Sequence, residues 1–310
     1  MISVIVVTYN FQNIILECLE GIKKQSYNDI ELIISDDCSK DKTVDVCKKW
    51  LESNSKFFKR IELLTSKENQ GVVKNINKGL KAARGECIKI IAGDDILVES
   101  SLEKFMNYLN KNQNAEIIFS QVQSFRVKDK EKLYLEVLPD KEMEQIFNMS
   151  QEEQLKILLE CNFLAAPSSF FKKSLFEKYG YFDERFKMVE DYPYWIKLLK
   201  NKVKLYYMPE VTVYYRKSES SISAIMEGKI NPTMLEFEEQ FYNLIYKKEV
   251  KNIFKKWDRF FNIFISKKVL KNDNKRTFFL KIYGKAFRSK NLKRLFIVLT
   301  IGLISIILNR

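Results

Sequence analysis

Residues 2–10 read ISVIVVTYN, and residues 30–39 read IELIISDDCS. Each opens as a short run of aliphatic and β-branched residues and ends in polar ones. That is the pattern of a strand buried on both faces of a parallel sheet, here Ile2–Val7 and Ile30–Ser35, whose carboxyl end opens into a loop. Working outward, strand and helix signals alternate. Ile15, Leu16, Leu19 and Ile22 share a helical face behind Asn13, which is placed to cap the helix. Thr43–Leu51 reads as helix, Ile61–Leu64 as strand and Val72–Ala83 as helix, with Gly85 as its C-cap. Cys87–Ile91 is the next strand, Ser101–Asn110 a helix and Glu116–Phe119 a strand. Repeated strand–helix–strand units predict an α/β fold with a mostly parallel sheet wrapped by helices.

Past residue 120 the pattern changes. Val122–Phe125 and Leu133–Leu138 flank the charged Lys128–Lys132 turn and read as a hairpin. A helix at Gln151–Leu159, a strand at Ser168–Phe171, a helix around Tyr192–Lys200 and strands at Val203–Tyr207 and Val211–Tyr215 follow. This is a mixed half joined to the first. From about Asn231 the chain reads as helical and basic. Val250, Ile253, Phe254, Trp257, Phe261, Phe264 and Ile265 recur at helical spacing, and Lys247, Lys248, Lys251, Lys255, Lys256 and Arg259 line much of the rest. Fourteen apolar or small residues, Leu295–Leu308, lie between Lys293-Arg294 and Arg310. The expected organisation is therefore 1–120, 121–230 and 231–310.

Composition narrows the function classes. With 46% hydrophobic and 30% charged residues, 9 Gly and 5 Pro, the chain is neither disordered nor low in complexity. Residues 231–310 carry 18 Lys and Arg against 6 Asp and Glu, while the other 230 residues carry 35 against 34. Of the net charge of +13, +12 thus sits on the tail, which points that segment toward a polyanionic partner. Five scattered cysteines without a CxxC pair argue against a disulfide framework or a zinc site and fit a reducing compartment. There is no histidine, which removes Ser-His-Asp catalysis, His-ligated metal and His bases. Acid–base chemistry must rest on carboxylates, Lys, Tyr or Cys. The chain opens without a basic n-region, so no signal peptide is expected.

Open α/β sheets bind ligands at the carboxyl ends of their strands. Thr8-Tyr9-Asn10, Asp36-Asp37-Cys38-Ser39 and Gly93-Asp94-Asp95 are delivered there. Adjacent carboxylates repel one another and are costly to desolvate, so two acidic pairs at one edge answer to a cation or a donor-rich ligand. The plainer alternative is that each Asp caps the following helix.

Taken in order, VVTYN (6–10), SDDCS (35–39), ENQG (68–71), ARGE (83–86) and GDD (93–95) resemble family 2 glycosyltransferases with the type-A nucleotide-diphospho-sugar fold. GYFDE (180–184), Glu190-Asp191 with Trp195, and YYR (214–216) continue the resemblance, which covers roughly residues 1–223. It implies a Rossmann-like donor half, an acceptor half and an inverting, metal-dependent hexosyltransferase of the bacterial surface-polysaccharide or capsule type. By the same resemblance Thr8 and Asp37 or Asp36 hold base and ribose, Tyr9 and Asn10 belong to the nucleotide-sugar site with them, and Asn69, Gly71 and Lys74 serve the diphosphate at a helix N-terminus. The family more often shows Arg at about the position of Lys74. Asp94 and Asp95 resemble the aspartate-x-aspartate element that binds Mn²⁺ or Mg²⁺. Here Ala92 stands where many relatives carry a further acid. Without the late His of some relatives, Arg216 and Lys217 share neutralisation of the diphosphate. Asp191 resembles the general base and Glu190 orients it or binds the acceptor; read alone, the pair is a helix N-terminus favoured by the macrodipole. Trp195 either stacks on an acceptor sugar or packs in the core.

The implied partners are a nucleotide-sugar, with UDP favoured, and a glycan or lipid-linked acceptor. For the tail, aromatic residues on one face and Lys and Arg on the other fit peripheral attachment to an anionic membrane at its cytoplasmic side. A tail anchor and packing on the protein itself are the alternatives, since the apolar run is short of the ~20 residues a spanning helix needs. No nucleic-acid partner is expected. Competing readings are a nucleotidyltransferase, which would need a Gly-rich basic loop that Tyr9–Asn13 does not offer, and a non-catalytic binder of lipid or nucleic acid. A dehydrogenase is disfavoured because no GxGxxG follows a strand.

Overall fold

The computed structural model describes residues 1–217 and 230–271. The chain divides into two compact units, 1–219 and 220–310.

The first unit is built on β1 (Ile2–Thr8), β2 (Ile30–Asp36), β3 (Arg60–Thr65), β4 (Cys87–Ala92), β5 (Ile96–Leu97), β6 (Ile117–Lys128), β7 (Glu131–Leu138), β8 (Ser169–Lys172) and β9 (Tyr206–Arg216). These form one nine-stranded sheet in the order β3-β2-β1-β4-β8-β6-β9-β5, with β7 paired to β6. β1 to β4 run parallel, as do β6 and β9; the β4–β8, β8–β6, β6–β7 and β9–β5 pairs are antiparallel. Among the described residues eight α-helices accompany the sheet: α1 (Ile15–Lys23), α2 (Thr43–Asn54), α3 (Val72–Ala82), α4 (Ser101–Lys111), α5 (Lys141–Glu144), α6 (Gln151–Glu160), α7 (Ser174–Tyr179) and α8 (Asp191–Lys200). Ile2, Val4, Ile5, Val6, Leu32, Ile33 and Ile34 are fully buried, as central parallel strands covered on both faces require.

Four local expectations are corrected. Asn13 does not cap α1; the Phe11 carbonyl accepts from the N–H groups of Ile14 and Ile15, and Leu16 faces solvent. Gly85 is not a helix C-cap, because α3 ends at Ala82 and the chain is already extended at Ala83. Gly85 instead lies so close to β1 that a Cβ would meet the Ser3 backbone at 2.6 Å. The segments read separately at 116–119 and 122–125 are one strand, β6, and those at 203–207 and 211–215 are replaced by one strand, β9, that starts only at Tyr206. Shifts in register around Gln121 interrupted the alternation without ending the pairing. The expected boundary at residue 120 falls inside β6, so both halves share one sheet.

The second unit contains α9 (Pro232–Phe241), a π-helical turn (Tyr242–Tyr246), α10 (Lys247–Glu249) and α11 (Ile253–Lys271). Asn231 and Asn252 cap α9 and α11, their side-chain oxygens accepting from Thr233 and Phe254 N–H at 3.0 Å each. Arg259 bonds Glu238 at 2.8 Å and lies over the rings of Phe241 and Tyr246. The apolar stripe expected here divides: Val250 and Phe261 are buried, whereas Ile253, Phe254 and Phe264 are exposed. Leu295–Leu308 and its basic flanks lie outside the described residues. Among those described, no helix is long and apolar enough to cross a membrane.

Candidate active site

Parallel pairing puts the carboxyl ends of β1, β2 and β4 side by side, with Thr8 opposite Asp36 and Val7 opposite Ala92. Backbone bonds then stitch the loops that follow. Asp37 N–H donates to Thr8 O (3.1 Å) and Gly93 N–H to Val7 O (2.9 Å). The Asp36 carboxylate accepts from Ser39 N–H (2.9 Å) and its hydroxyl (2.5 Å). Asn10, in the left-handed region, accepts from Lys40 N–H at 2.7 Å and donates its own N–H to Ser39 Oγ at 2.8 Å. Tyr9 is exposed beside it.

Asp37 reaches further along the edge. Its two oxygens accept from Gln70 N–H (2.9 Å) and Gly71 N–H (2.8 Å), so a buried carboxylate fixes the turn into α3. Gly71 is the residue before that helix at φ +91°, a conformation L side chains avoid. No side chain caps α3, and its amino end is a ready anion site. Asn69 and Lys74 are exposed there. Thr8 Oγ1 is buried at the same edge without a protein hydrogen bond. Such an orphaned polar atom is costly unless a ligand or water satisfies it.

Asp94 and Asp95 part company. Asp95 is 2% exposed and accepts from Arg216 N–H at 2.9 Å, and Asp94 is half-buried. Burial pushes Asp95 well above the carboxylate range, helped by the Asp94 charge, and burial raises Asp94 as well. Arg216 is consumed by the fold: Nε donates to Asp94 O (2.9 Å), the guanidinium pairs with Glu17 (2.9 Å), and it lies over Phe125. Lys132 also pairs with Glu17, at 2.7 Å, and Lys217 pairs with Glu136. Among the described residues no group of three or more His, Cys, Asp or Glu could cage a metal. Two adjacent carboxylates, one buried and one half-buried, do fit a hard divalent cation completed by substrate phosphate and water, the usual habit of Mg²⁺ sites.

Glu190 and Asp191 open α8. Val189, β-branched, sits at φ +57° just before them, a strained conformation of the kind that gathers at functional sites. Asp191 is 8% exposed. Burial raises both carboxylates, and the Asp191 charge raises Glu190 further. The Tyr192 N–H and the Asn162 side chain moderate the rise at Asp191. The Trp195 indole N–H faces the same carboxylate without closing a well-aligned hydrogen bond. Trp195 itself is 1% exposed, edge-on to Phe119 and stacked on Phe171. Neither ring face is open to a sugar, which decides between the two expectations in favour of the core.

Several residues escaped sequence reasoning. Lys78 donates to Asp36 O (2.9 Å) and Ser66 Oγ (2.7 Å), tying the ends of β2 and β3. Its place one turn beyond Lys74 was the available signal. Lys89, a lysine inside an apolar strand, is fully buried, donates to the Pro167 and Ser169 carbonyls, and is lowered by burial to about 7. Glu17 and Asn162 carried no local signal. A shallow cavity of about 590 Å³ lined by Arg84, Cys87, Met106 and Lys172 lies at the amino end of β4, away from these groups.

Comparison with known proteins agrees with this geometry. A family model described as glycosyl transferase family 2 matches residues 3–180. An uncharacterised glycosyltransferase of Rickettsia typhi is 30% identical over 201 residues, 64% of this chain and 59% of that protein. The match thus spans well under two thirds of that relative's length. Among solved structures, S. aureus TarS 1–349 in complex with UDP-GlcNAc superposes with a TM-score of 0.61 at 20% identity, covering 84% of this chain and 72% of its own. A Pyrobaculum calidifontis mannosyltransferase in complex with GDP-Man and Mn²⁺ gives 0.58 at 17% identity, covering 87% and 69%. These likenesses establish the type-A α/β fold.

Proposed function

The chain belongs to glycosyl transferase family 2, and from that premise we propose that it transfers a hexosyl group, with inversion, from a UDP-sugar to a hydroxyl of a glycan or lipid-linked acceptor in surface-polysaccharide synthesis. The observation that carries this reading is the Glu190-Asp191 pair at the head of α8, Asp191 buried and Glu190 half-buried, whose loop leans on α3. An added Cβ at Gly71 would lie 3.6 Å from Lys187 O.

Thr8, Tyr9, Asn10, Asp36 and Asp37 form the base-and-ribose edge, and the Thr8 hydroxyl donates to or accepts from the donor. Asn69, Gly71, Lys74 and the amino end of α3 take the diphosphate. The acceptor oxygen attacks the anomeric carbon and its proton passes to Asp191. The bond from that carbon to the diphosphate oxygen breaks, its electron pair leaving with the nucleoside diphosphate. A single displacement inverts the anomeric configuration. Glu190, the weaker acid, keeps its proton and orients the acceptor. Mn²⁺ or Mg²⁺ held by Asp94 and Asp95 would neutralise charge on the departing diphosphate. Arg216 serves by fixing the turn that carries them, with Lys217 beside it. The UDP-GlcNAc of one structural neighbour and the GDP-Man with Mn²⁺ of another support this donor class and cation.

In the same reading α11 attaches the chain peripherally to the cytoplasmic face of an anionic membrane. Exposed Ile253, Phe254, Phe260 and Phe264 alongside Lys255, Lys268 and Lys271 support it. Anionic vesicles should retain the protein at low salt and release it at high salt; equal binding to neutral vesicles would remove the electrostatic part.

The enzymatic reading is tested by binding and turnover over UDP-, dTDP- and GDP-sugars, with and without Mn²⁺. One donor should bind and turn over. Binding of none would overturn the proposal.

A further inference from the structure

Helix α3 carries a second buried clamp at its middle, between one and two turns beyond Gly71. Asn77 is 2% exposed. Its Oδ1 accepts from Phe182 N–H (3.1 Å), and its Nδ2 donates to Phe182 O (2.9 Å) and to Glu184 Oε1 (3.1 Å). One side-chain amide thereby reads both backbone groups of Phe182, as a neighbouring strand would. The Phe182 ring packs on Tyr194 with centroids 4.7 Å apart, and Tyr194 lies one turn along α8 from Asp191. The contacts run without a gap: Asn77, Phe182, Tyr194, α8. The helix that begins at Asp37's clamp is thus the strut on which the Asp191 loop hangs. A loop holding a β-branched residue at positive φ, Val189, needs such outside support.

We infer that Asn77 is a positioning residue that ties the carboxylate at the head of α8 to the helix serving the donor diphosphate. The inference rests on the role proposed above for Asp191. A buried amide with three partners would also matter to folding, so a matched control is needed. Asn75 provides it. On the same helix and equally buried, it donates to Ser35 O and accepts from Ser35 Oγ, both at 2.7 Å, and it holds the sheet rather than the loop.

The experiment compares the wild-type chain, Asn77→Ala, Asn75→Ala and Asp191→Asn in donor binding, turnover against pH, and amide hydrogen exchange. Asn77→Ala should cut kcat by about tenfold to a hundredfold, the scale of a misplaced catalytic group, with UDP affinity within about threefold. The acid limb of its kcat profile should move to lower pH, because a loosened loop admits water to Asp191. Exchange should quicken across 182–192. Asn75→Ala should quicken exchange in β2 and leave the acid limb where it was. Should Asn77→Ala not fold, Glu184→Ala removes one arm from the surface and must give a smaller loss in the same direction. Wild-type exchange at 182–192 and wild-type kcat in Asn77→Ala, or the same limb shift in Asn75→Ala, would overturn the inference. If no nucleotide-sugar turns over at all, the proposed function fails, and the exchange data still decide the coupling.

Discussion

The Asp36-Asp37 pair and the Glu190-Asp191 pair stand at two edges of one unit, and their surroundings are opposite. All four oxygens of the first pair already accept hydrogen bonds from Ser39, Gln70 and Gly71. The second pair is raised by burial and by its own repulsion, and the donors around Asp191 (the Tyr192 and Asp191 N–H groups and the Trp195 and Asn162 side chains) moderate that rise without cancelling it. A carboxylate whose charge is satisfied by fixed donors shapes a loop. One whose charge is poorly satisfied can take a proton. Asp94-Asp95 lies between: Asp95 has the Arg216 N–H, yet burial still pushes both members upward, which is the state a divalent cation relieves.

The largest effect expected from this contrast is at Asp191. Asp191→Asn removes the proton acceptor while keeping shape, so turnover should fall by about 10³-fold, within the range of general-base contributions. Donor affinity, measured by titration with the UDP-sugar, should stay within about threefold. A parallel loss of affinity would mean that Asp191 touches the donor, and the two pairs would no longer differ in kind.

Next comes Asp37. Asp37→Ala removes the charged acceptor of the Gln70 and Gly71 N–H groups and should cost about 1.5–3 kcal/mol of stability, as hydrogen bonds to charged groups do, read from denaturant midpoints. Donor affinity should fall by about tenfold or more as the turn into α3 loosens. Asp36→Ala, which releases only the Ser39 loop, should do less on both counts. If Asp37→Ala cuts kcat while leaving affinity and stability intact, the scaffold role is wrong.

The strands and the edge they serve are legible in the sequence. The runs at Ile2–Val7, Ile30–Ser35 and Cys87–Ile91 are short, aliphatic and bounded by polar groups, and parallel pairing then brings Thr8, Asp36 and Gly93 together. What each acid does was not legible, because its partners are remote. Arg216 meets Glu17 across 199 positions and Asn77 meets Phe182 across 105. Periodicity assigns a face and names no neighbour. Trp195 shows the limit: helical position alone admits both a sugar platform and a core residue, and only Phe119 and Phe171 decide. The capping error at Asn13 has a similar cause, since the Phe11 carbonyl does locally what a side chain was expected to do.

Gly71 sharpens the same contrast at smaller scale. It ties the scaffold pair to the donor end of α3 at a φ that glycine alone adopts without strain. Gly71→Ala should cost about 1–3 kcal/mol and weaken donor binding, with the pH dependence of kcat unchanged. A shifted acid limb would show that this end of α3 also sets Asp191.

The smallest effect separates the members of the second pair. Burial raises both acids, and the Asp191 charge raises Glu190 further, so Asp191 gives up its proton first. The base must be ionised. Turnover is therefore lost as pH falls through the Asp191 pKa, and because that value is raised, the loss begins at higher pH than for an ordinary carboxylate. At neutral pH Glu190 is the protonated partner, and Glu190→Gln imitates it closely. Its kcat at pH 7 should stay within about threefold of wild type. In wild type, ionisation of Glu190 at alkaline pH puts a second charge beside Asp191; in Glu190→Gln that step is absent, so the alkaline side of the profile should flatten while the acid limb remains. A collapse of turnover in Glu190→Gln at neutral pH would instead assign the proton to Asp191 and the base role to Glu190, reversing the order within the pair.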